Sequence, residues 1–121
     1  PPPLEKWKSW TWKEAVRDAK LVARALISVG VEQHQTIMIL GNNSPQWVLS
    51  FLGGICAGAK SGGVYPSDTT EQIWYKAKHS NTAAVFVADQ DSKKKYVSLV
   101  ERLPLLKAIV CWMCEPGEDV T

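Results

Sequence analysis

The stretch IMILGNNSPQWVLSFLGGICAGAKSGGVYP, Ile37 to Pro66, decides the fold. Thr36–Leu40 is a short, nearly continuous apolar run. Such a run suits a strand buried on both faces, as in a parallel sheet. Gly41-Asn42-Asn43-Ser44-Pro45 then turns the chain. Ser44 is a natural helix N-cap, and Pro45 fits the first helical position because its missing N–H has no partner there anyway. The helix that follows carries Trp47, Val48, Phe51, Leu52 and Ile55, read as its inward face. Gly53, Gly54, Ala57 and Gly58 thin its far end. Each glycine costs about 1 kcal/mol of helix stability relative to Ala, so their presence points to close packing against a neighbour. Gly62–Tyr65 reads as a second strand.

Working outward, the same alternation continues. Upstream, residues 1–10 read as an extended arm. Thr11 opens a helix, with Glu14 three residues later completing a capping box. Ala15, Ala19, Val22, Leu26 and Val29 then recur at helical spacing, and Gly30 ends the run. Downstream, Pro66–Thr70 supplies caps for a helix through about Lys78. Ala83–Ala88 is a third strand, Asp91 or Ser92 caps a helix reaching Leu103, and Lys107–Trp112 is a fourth strand. Strands alternating with helices predict a doubly wound α/β fold with a parallel sheet. The expected division is an arm over 1–10, an α/β unit over 11–115 and a truncated tail over 116–121.

Bulk properties narrow the function classes. A chain of 121 residues is long enough for one domain, burying roughly two thirds of its unfolded surface. Apolar residues make up 45% and charged residues 21%, an ordinary globular balance. A net charge of +2 argues against nucleic acid as a partner. No apolar run reaches the length of a membrane-spanning helix. Three cysteines, an odd number, argue against a disulfide framework and for a reduced, intracellular setting. The start at Pro1-Pro2-Pro3, without Met, reads as a cut through a longer chain.

Each candidate site has a plainer reading beside it. The turn at Gly41–Pro45 precedes a helix N-terminus, which can hold an anion. However, it has one glycine and neither a G-x-G-x-x-G nor a G-K-[ST] pattern, so a structural βα turn is favoured. Asn42 and Asn43 read as turn formers. Cys111-Trp112-Met113-Cys114 is a C-x-x-C, but Glu115-Pro116-Gly117 follows where a redox pair would open a helix. The other metal-ligating types, Cys56, His34 and His79, lack paired spacing, so the cysteines read as ordinary packed or edge residues. His79 near a helix end fits the helix dipole. Asp68, Glu71, Asp89 and Asp91 resemble a receiver-type acidic cluster only loosely, because the first strand ends in Leu40-Gly41-Asn42. Lys93-Lys94-Lys95 reads as a solvated helix face rather than a membrane or CoA contact.

The segment NNSPQWVLSFLGGICAGAKSGGVYPSDTTEQI resembles the N-terminal part of the AMP-forming acyl-CoA synthetases, most closely the bubblegum-type long-chain fatty-acid–CoA ligases. WTWKEAVRDAKLVARALISVGV is similar to the family's first helix and ERLPLLKAIVCW to a later strand. The resemblance runs from about Trp10 to Trp112. It implies a parent enzyme that uses ATP and Mg²⁺ to make an acyl-adenylate from a long-chain fatty acid, then transfers the acyl group to CoA. It places that parent inside the cell, cytoplasmic or peripheral to an internal membrane. The family's Ser/Thr/Gly-rich phosphate loop has no counterpart here; the nearest pair, Thr69-Thr70, lacks flanking glycines. No catalytic, cofactor-binding or metal-binding residue is therefore carried over, and the chain alone is expected to be inert. Trp47, Leu52, Gly58 and Tyr65 carry over as core; the Gly62–Pro66 segment reads as supporting the active site from behind, with an approach of Tyr65 or Ser67 to the acyl pocket as the lesser alternative. The rest of the parent is the expected partner. The alternative is a stand-alone, non-catalytic binding or regulatory module; a nucleotide- or flavin-binding domain is a weaker third reading.

Overall fold

The computed structural model describes residues 1–114. After a 3-10 turn at Leu4–Lys6, the order is α1 (Trp12–Ser28), β1 (Thr36–Leu40), α2 (Pro45–Cys56), β2 (Lys60–Val64), α3 (Thr70–His79), β3 (Thr82–Val87), α4 (Gln90–Val97), a second 3-10 turn at Val100–Arg102, and β4 (Ala108–Cys111). All strand pairs are parallel, in the order β2-β1-β3-β4. The chain steps from β1 outward to β2, then returns across the sheet to β3 and β4. Right-handed crossovers put helices on opposite faces when that direction reverses. Accordingly α1 and α2 cover one face, and α3 and α4 the other.

The two central strands are buried along their whole lengths. Their side chains alternate between two cores, as strand geometry requires. Ile37, Ile39, Ala84 and Phe86 point to one core with Leu26 and Val31. Met38, Leu40, Val85 and Val87 point to the other with Ile73, Tyr96 and Leu99. A fully buried Ile or Leu contributes about 1.5–3 kcal/mol, so this double layer is the main source of cohesion.

Local chemistry sets the helix starts. Thr11 accepts from the Glu14 N–H, and the Glu14 carboxylate accepts from the Thr11 N–H at 2.8 Å. Thr69 and Gln72 form a second reciprocal box at the start of α3. Ser44 caps α2 with Pro45 at its first position. Gly30, at φ +93°, closes the end of α1.

Several boundaries and faces differ from the sequence reading. β2 starts at Lys60, two residues earlier, because Lys60 and Ser61 pair with Thr36 and Ile37. Asp89, not Asp91 or Ser92, caps α4, by accepting from the Ser92 N–H at 2.8 Å. The helix stops at Val97, and a 3-10 turn covers the approach to Leu103. The inner face of α2 is only partly the large apolar set: Trp47 and Phe51 pack half-buried against the core and Ser50, Gly53 and Gly54 are buried, whereas Val48 is 52% exposed and Leu52 and Ile55 also face outward. A Cβ on Gly54 would lie 2.7 Å from Ile37 Cγ1, and one on Gly53 would run into Val22 of α1. The helix lies so close to β1 and α1 that only glycine fits. Cys111 and Cys114 are not separate; they are joined as a disulfide across the turn after β4, with Cα atoms 5.6 Å apart. That span lies within the ordinary disulfide range, and the tight turn supplies it. The anticipated tail over 116–121 lies outside the described residues.

Tyr96 is fully buried beneath the sheet, and its hydroxyl has no hydrogen-bond partner among the described residues. Burial, and secondarily the Asp68 carboxylate, push its phenol well above the usual value. Two predictions follow from these packing details. Gly54→Ala should destabilise the chain by about 1–3 kcal/mol in denaturant melts, since overpacking outweighs the gain in helix propensity. Tyr96→Phe should leave stability at neutral pH within about 1 kcal/mol, because it removes an unpaired polar group. The sign of the pH effect is fixed by the raised phenol. Its contribution is complete below the unfolded value of about 10 and is lost as pH rises beyond it. Alkaline unfolding should therefore shift to higher pH in Tyr96→Phe.

Candidate functional site

In open parallel sheets, ligands sit at the carboxyl ends of the strands, where the winding direction reverses. Here that point lies between β1 and β3. It is occupied by protein: a Cβ on Gly41 would lie 2.8 Å from both Ala88 Cβ and the Trp112 ring. The indole after β4 thus plugs the crevice, and Gly41 is required for its close approach. Sequence reading assigned Gly41 to a tight turn and did not anticipate this contact, which joins residues far apart in the chain.

Beside the plug, a cleft of about 410 Å³ opens between the β1–α2 and β2–α3 turns, bordered by Asn43, Trp47, Tyr65 and Pro66. Trp47 stacks on Phe51 with ring centroids 5.6 Å apart and leans over Gly63. Tyr65 is 71% exposed and Ser67 is exposed as well. Tyr65, expected in the core, is instead a rim residue, and Leu52 is a surface residue. Gly58 serves at the opposite edge, with φ +81° in the turn before β2.

The β2–α3 turn is tied down by polar contacts. Asp68 is buried, accepts from the Tyr65 N–H at 3.1 Å and pairs with Lys76 of α3. The Lys76 ammonium also lies 5.3 Å from the Tyr65 ring centroid. Lys95 of α4 donates to the Pro66 and Asp68 carbonyls at 3.4 Å. Asp68 and two lysines therefore hold Tyr65 and Pro66 at the cleft mouth.

The remaining sequence candidates are dispersed. Glu71 forms a two-point pair with Arg102, which holds its carboxyl below the usual range. The Asp89 carboxyl is likewise held low, chiefly by the Ser92 N–H it caps. Asp91 is exposed. His34, at φ 68°, donates its N–H to the Gly58 carbonyl at the amino ends of the strands. His79 stacks on Tyr75, and Cys56 is exposed at the end of α2. Among the described residues no three His, Cys, Asp or Glu side chains gather as a metal site.

ATP with Mg²⁺ does not fit the residues present. A phosphate cradle needs outward N–H groups at a helix start. In α2, Pro45 has none and the Trp47 N–H is taken by the Ser44 hydroxyl at 3.2 Å. The cleft also lacks a cation aimed into it, because Lys76 is committed to Asp68. What the arrangement offers is an aromatic, polar-rimmed wall.

Comparison with known proteins places this wall in context. The profile of the AMP-binding enzyme family matches residues 3–118. The long-chain-fatty-acid–CoA ligase heimdall of Drosophila melanogaster is 34% identical over 86% of this chain, a match covering 15% of the fly protein. The long-chain-fatty-acid–CoA ligase ACSBG2 of Xenopus laevis is 28% identical over 94% of the chain and 15% of its own length. Among solved structures, the anthranilate CoA ligase AuaEII, in complex with anthranoyl-AMP, superposes with a TM-score of 0.79 at 25% identity, over 87% of this chain and 20% of its own. A putative long-chain-fatty-acid CoA ligase from Rhodopseudomonas palustris shares the fold, with a TM-score of 0.78 at 16% identity, over 93% of this chain and 27% of its own. The chain spans about 15% of the length of these curated relatives. Family match and fold agree, and the chain belongs to the AMP-binding enzyme family.

Proposed function

We propose that this chain is the N-terminal α/β portion of a long-chain fatty-acid–CoA ligase and is catalytically inert on its own. The parent would activate a fatty acid with ATP and Mg²⁺ through an acyl-adenylate and pass the acyl group to CoA. The observation that carries this reading is the match to long-chain fatty-acid–CoA ligases over most of this chain but a small share of theirs. The absence of a Ser/Thr/Gly-rich phosphate loop from the sequence supports the second half of the proposal.

Surface chemistry supports it as well. A helix that is apolar all round belongs inside a larger protein. α2 has this character: its inner face packs on the sheet through glycine, and its outer face shows Val48, Leu52 and Ile55. A second apolar groove runs between α1 and the β4 edge, bordered by Leu21, Val29, Phe86 and Val110. In the parent, both surfaces would be covered by further layers of the same polypeptide. The Tyr65 wall would then support the active site from behind.

Two measurements test this. The purified chain should form no acyl-CoA from ATP, CoA and a long-chain fatty acid, while the longer polypeptide that contains it should; product from the chain alone would refute the inert reading. An apolar-surface dye such as anilinonaphthalene sulfonate should bind the isolated chain strongly and the longer polypeptide weakly. Equal, weak binding to both would instead favour a self-contained binding module.

A further inference from the structure

We propose that the outward side of α1 is a docking surface for the anionic face of a phospholipid bilayer. The inference does not depend on the ligase reading; it rests on how one helix distributes its charge. At about 100° per residue, Lys13, Arg17, Lys20 and Arg24 fall on a single arc of α1, and all four are exposed. Trp12, Val16 and Ile27 lie along the margin of the same arc. Trp12 is 87% exposed, the highest value among the exposed large apolar side chains, and Ile27 is exposed as well. Trp12, Lys13, Val16, Arg17 and Lys20 border one shallow depression, so the cations and apolar groups are physical neighbours.

No acid shares this arc. Glu14 borders the arc on the flank away from Trp12, and Asp18 lies further round. Glu14 is turned back onto Thr11, and Asp18 accepts from the Trp10 indole at 3.2 Å. Asp18, half-buried, also pairs with Arg17 at 3.1 Å, so Arg17 is the one cation of the four with an acid beside it. Lys13, Lys20 and Arg24 have no acidic partner among the described residues, and the net charge of the whole chain is +2, so their grouping on one helix side is a local concentration rather than a reflection of composition.

The mixture selects the partner. A purely cationic stripe suits any polyanion. Cations flanked by a Trp and aliphatic side chains suit an interface with an anionic outer layer and an apolar layer just beneath. Trp favours that boundary, and long Lys and Arg stems reach from it to phosphate groups. The outer side of α2 makes the contrast: it is apolar without cations, as expected for a surface covered by protein. Docked this way, α1 would lie flat on the bilayer along a length of about 25 Å. Among the described residues no helix is long and apolar enough to cross a membrane, so the contact is with the surface.

The test is co-sedimentation of the full 121-residue chain with phosphatidylcholine vesicles, with and without phosphatidylserine. Binding is expected to need phosphatidylserine and to weaken with added salt. The double variant Lys20→Ala/Arg24→Ala should weaken binding about 30-fold, and Lys20→Arg/Arg24→Lys should restore it. Trp12→Ala should also weaken binding and remove most of the vesicle-induced blue shift in tryptophan emission. Lys94→Ala, on the opposite helical layer, should bind like the native chain. The proposal is overturned by equal binding to neutral vesicles, by native-like binding of the double alanine variant, or by an equal loss in Lys94→Ala. Retention on heparin or an acidic protein without vesicle binding would overturn it too, leaving a generic polyanion surface.

Discussion

Everything in this chain depends on two adjacent strands that have no solvent face. β1 and β3 are buried from end to end, so each must find a packed layer above and below. That requirement fixes the double winding: a connection returning across β1 has to bring α3 and α4 to the side that α2 leaves open. It also fixes the composition of α2. The distance between helix and sheet is set by what stands between them, and at Gly54 nothing does. Replacing an apolar side chain with glycine forfeits its hydrophobic burial, but lets Ile37 and Ser61 occupy the space instead. The Ser61 hydroxyl then donates to the Phe51 carbonyl at 2.9 Å, a link from β2 to α2 that a bulkier helix face would block.

The elements that sequence made legible are those governed by neighbours along the chain. Both Thr11 with Glu14 and Ser44 with Pro45 act within one helical turn, so their spacing states their role. β1 was legible because burial on both faces leaves an uninterrupted apolar run. The face of α2 was legible in part: the glycines, read as a close approach, do meet Ile37 and Val22, and Trp47 and Phe51 lean on the core. Val48, Leu52 and Ile55 were misassigned, because apolar residues surround the helix and periodicity alone cannot choose among them. α4 was misplaced for a different reason: Asp89, Asp91 and Ser92 are all competent caps, and the strand end at Val87 decides among them.

The site region divides along the same line. That Ser44 and Pro45 open α2 was readable from their residues, and the Ser44 hydroxyl accepts from the Trp47 N–H. That Trp112 fills the crevice was not readable, since no local pattern links it to Gly41. Nor was the Asp68–Lys76–Lys95 clamp, built from three separate segments. The pairing of Cys111 with Cys114 ran against an argument from cysteine parity, which concerns frameworks between distant segments and not a bridge within one turn.

The Trp112 plug has a consequence for the order of assembly. The β1–α2 turn is synthesised well before the group that closes it, which arrives about 70 residues later, a contact of high sequence separation. During synthesis the first half of the sheet would emerge with its central crevice open and its apolar strand ends wet. The amino edge has the same dependence, because Lys107 reaches back to the Gly30 carbonyl at the end of α1. A nascent chain halted before β4 would therefore lack the closing contact at both ends of the sheet.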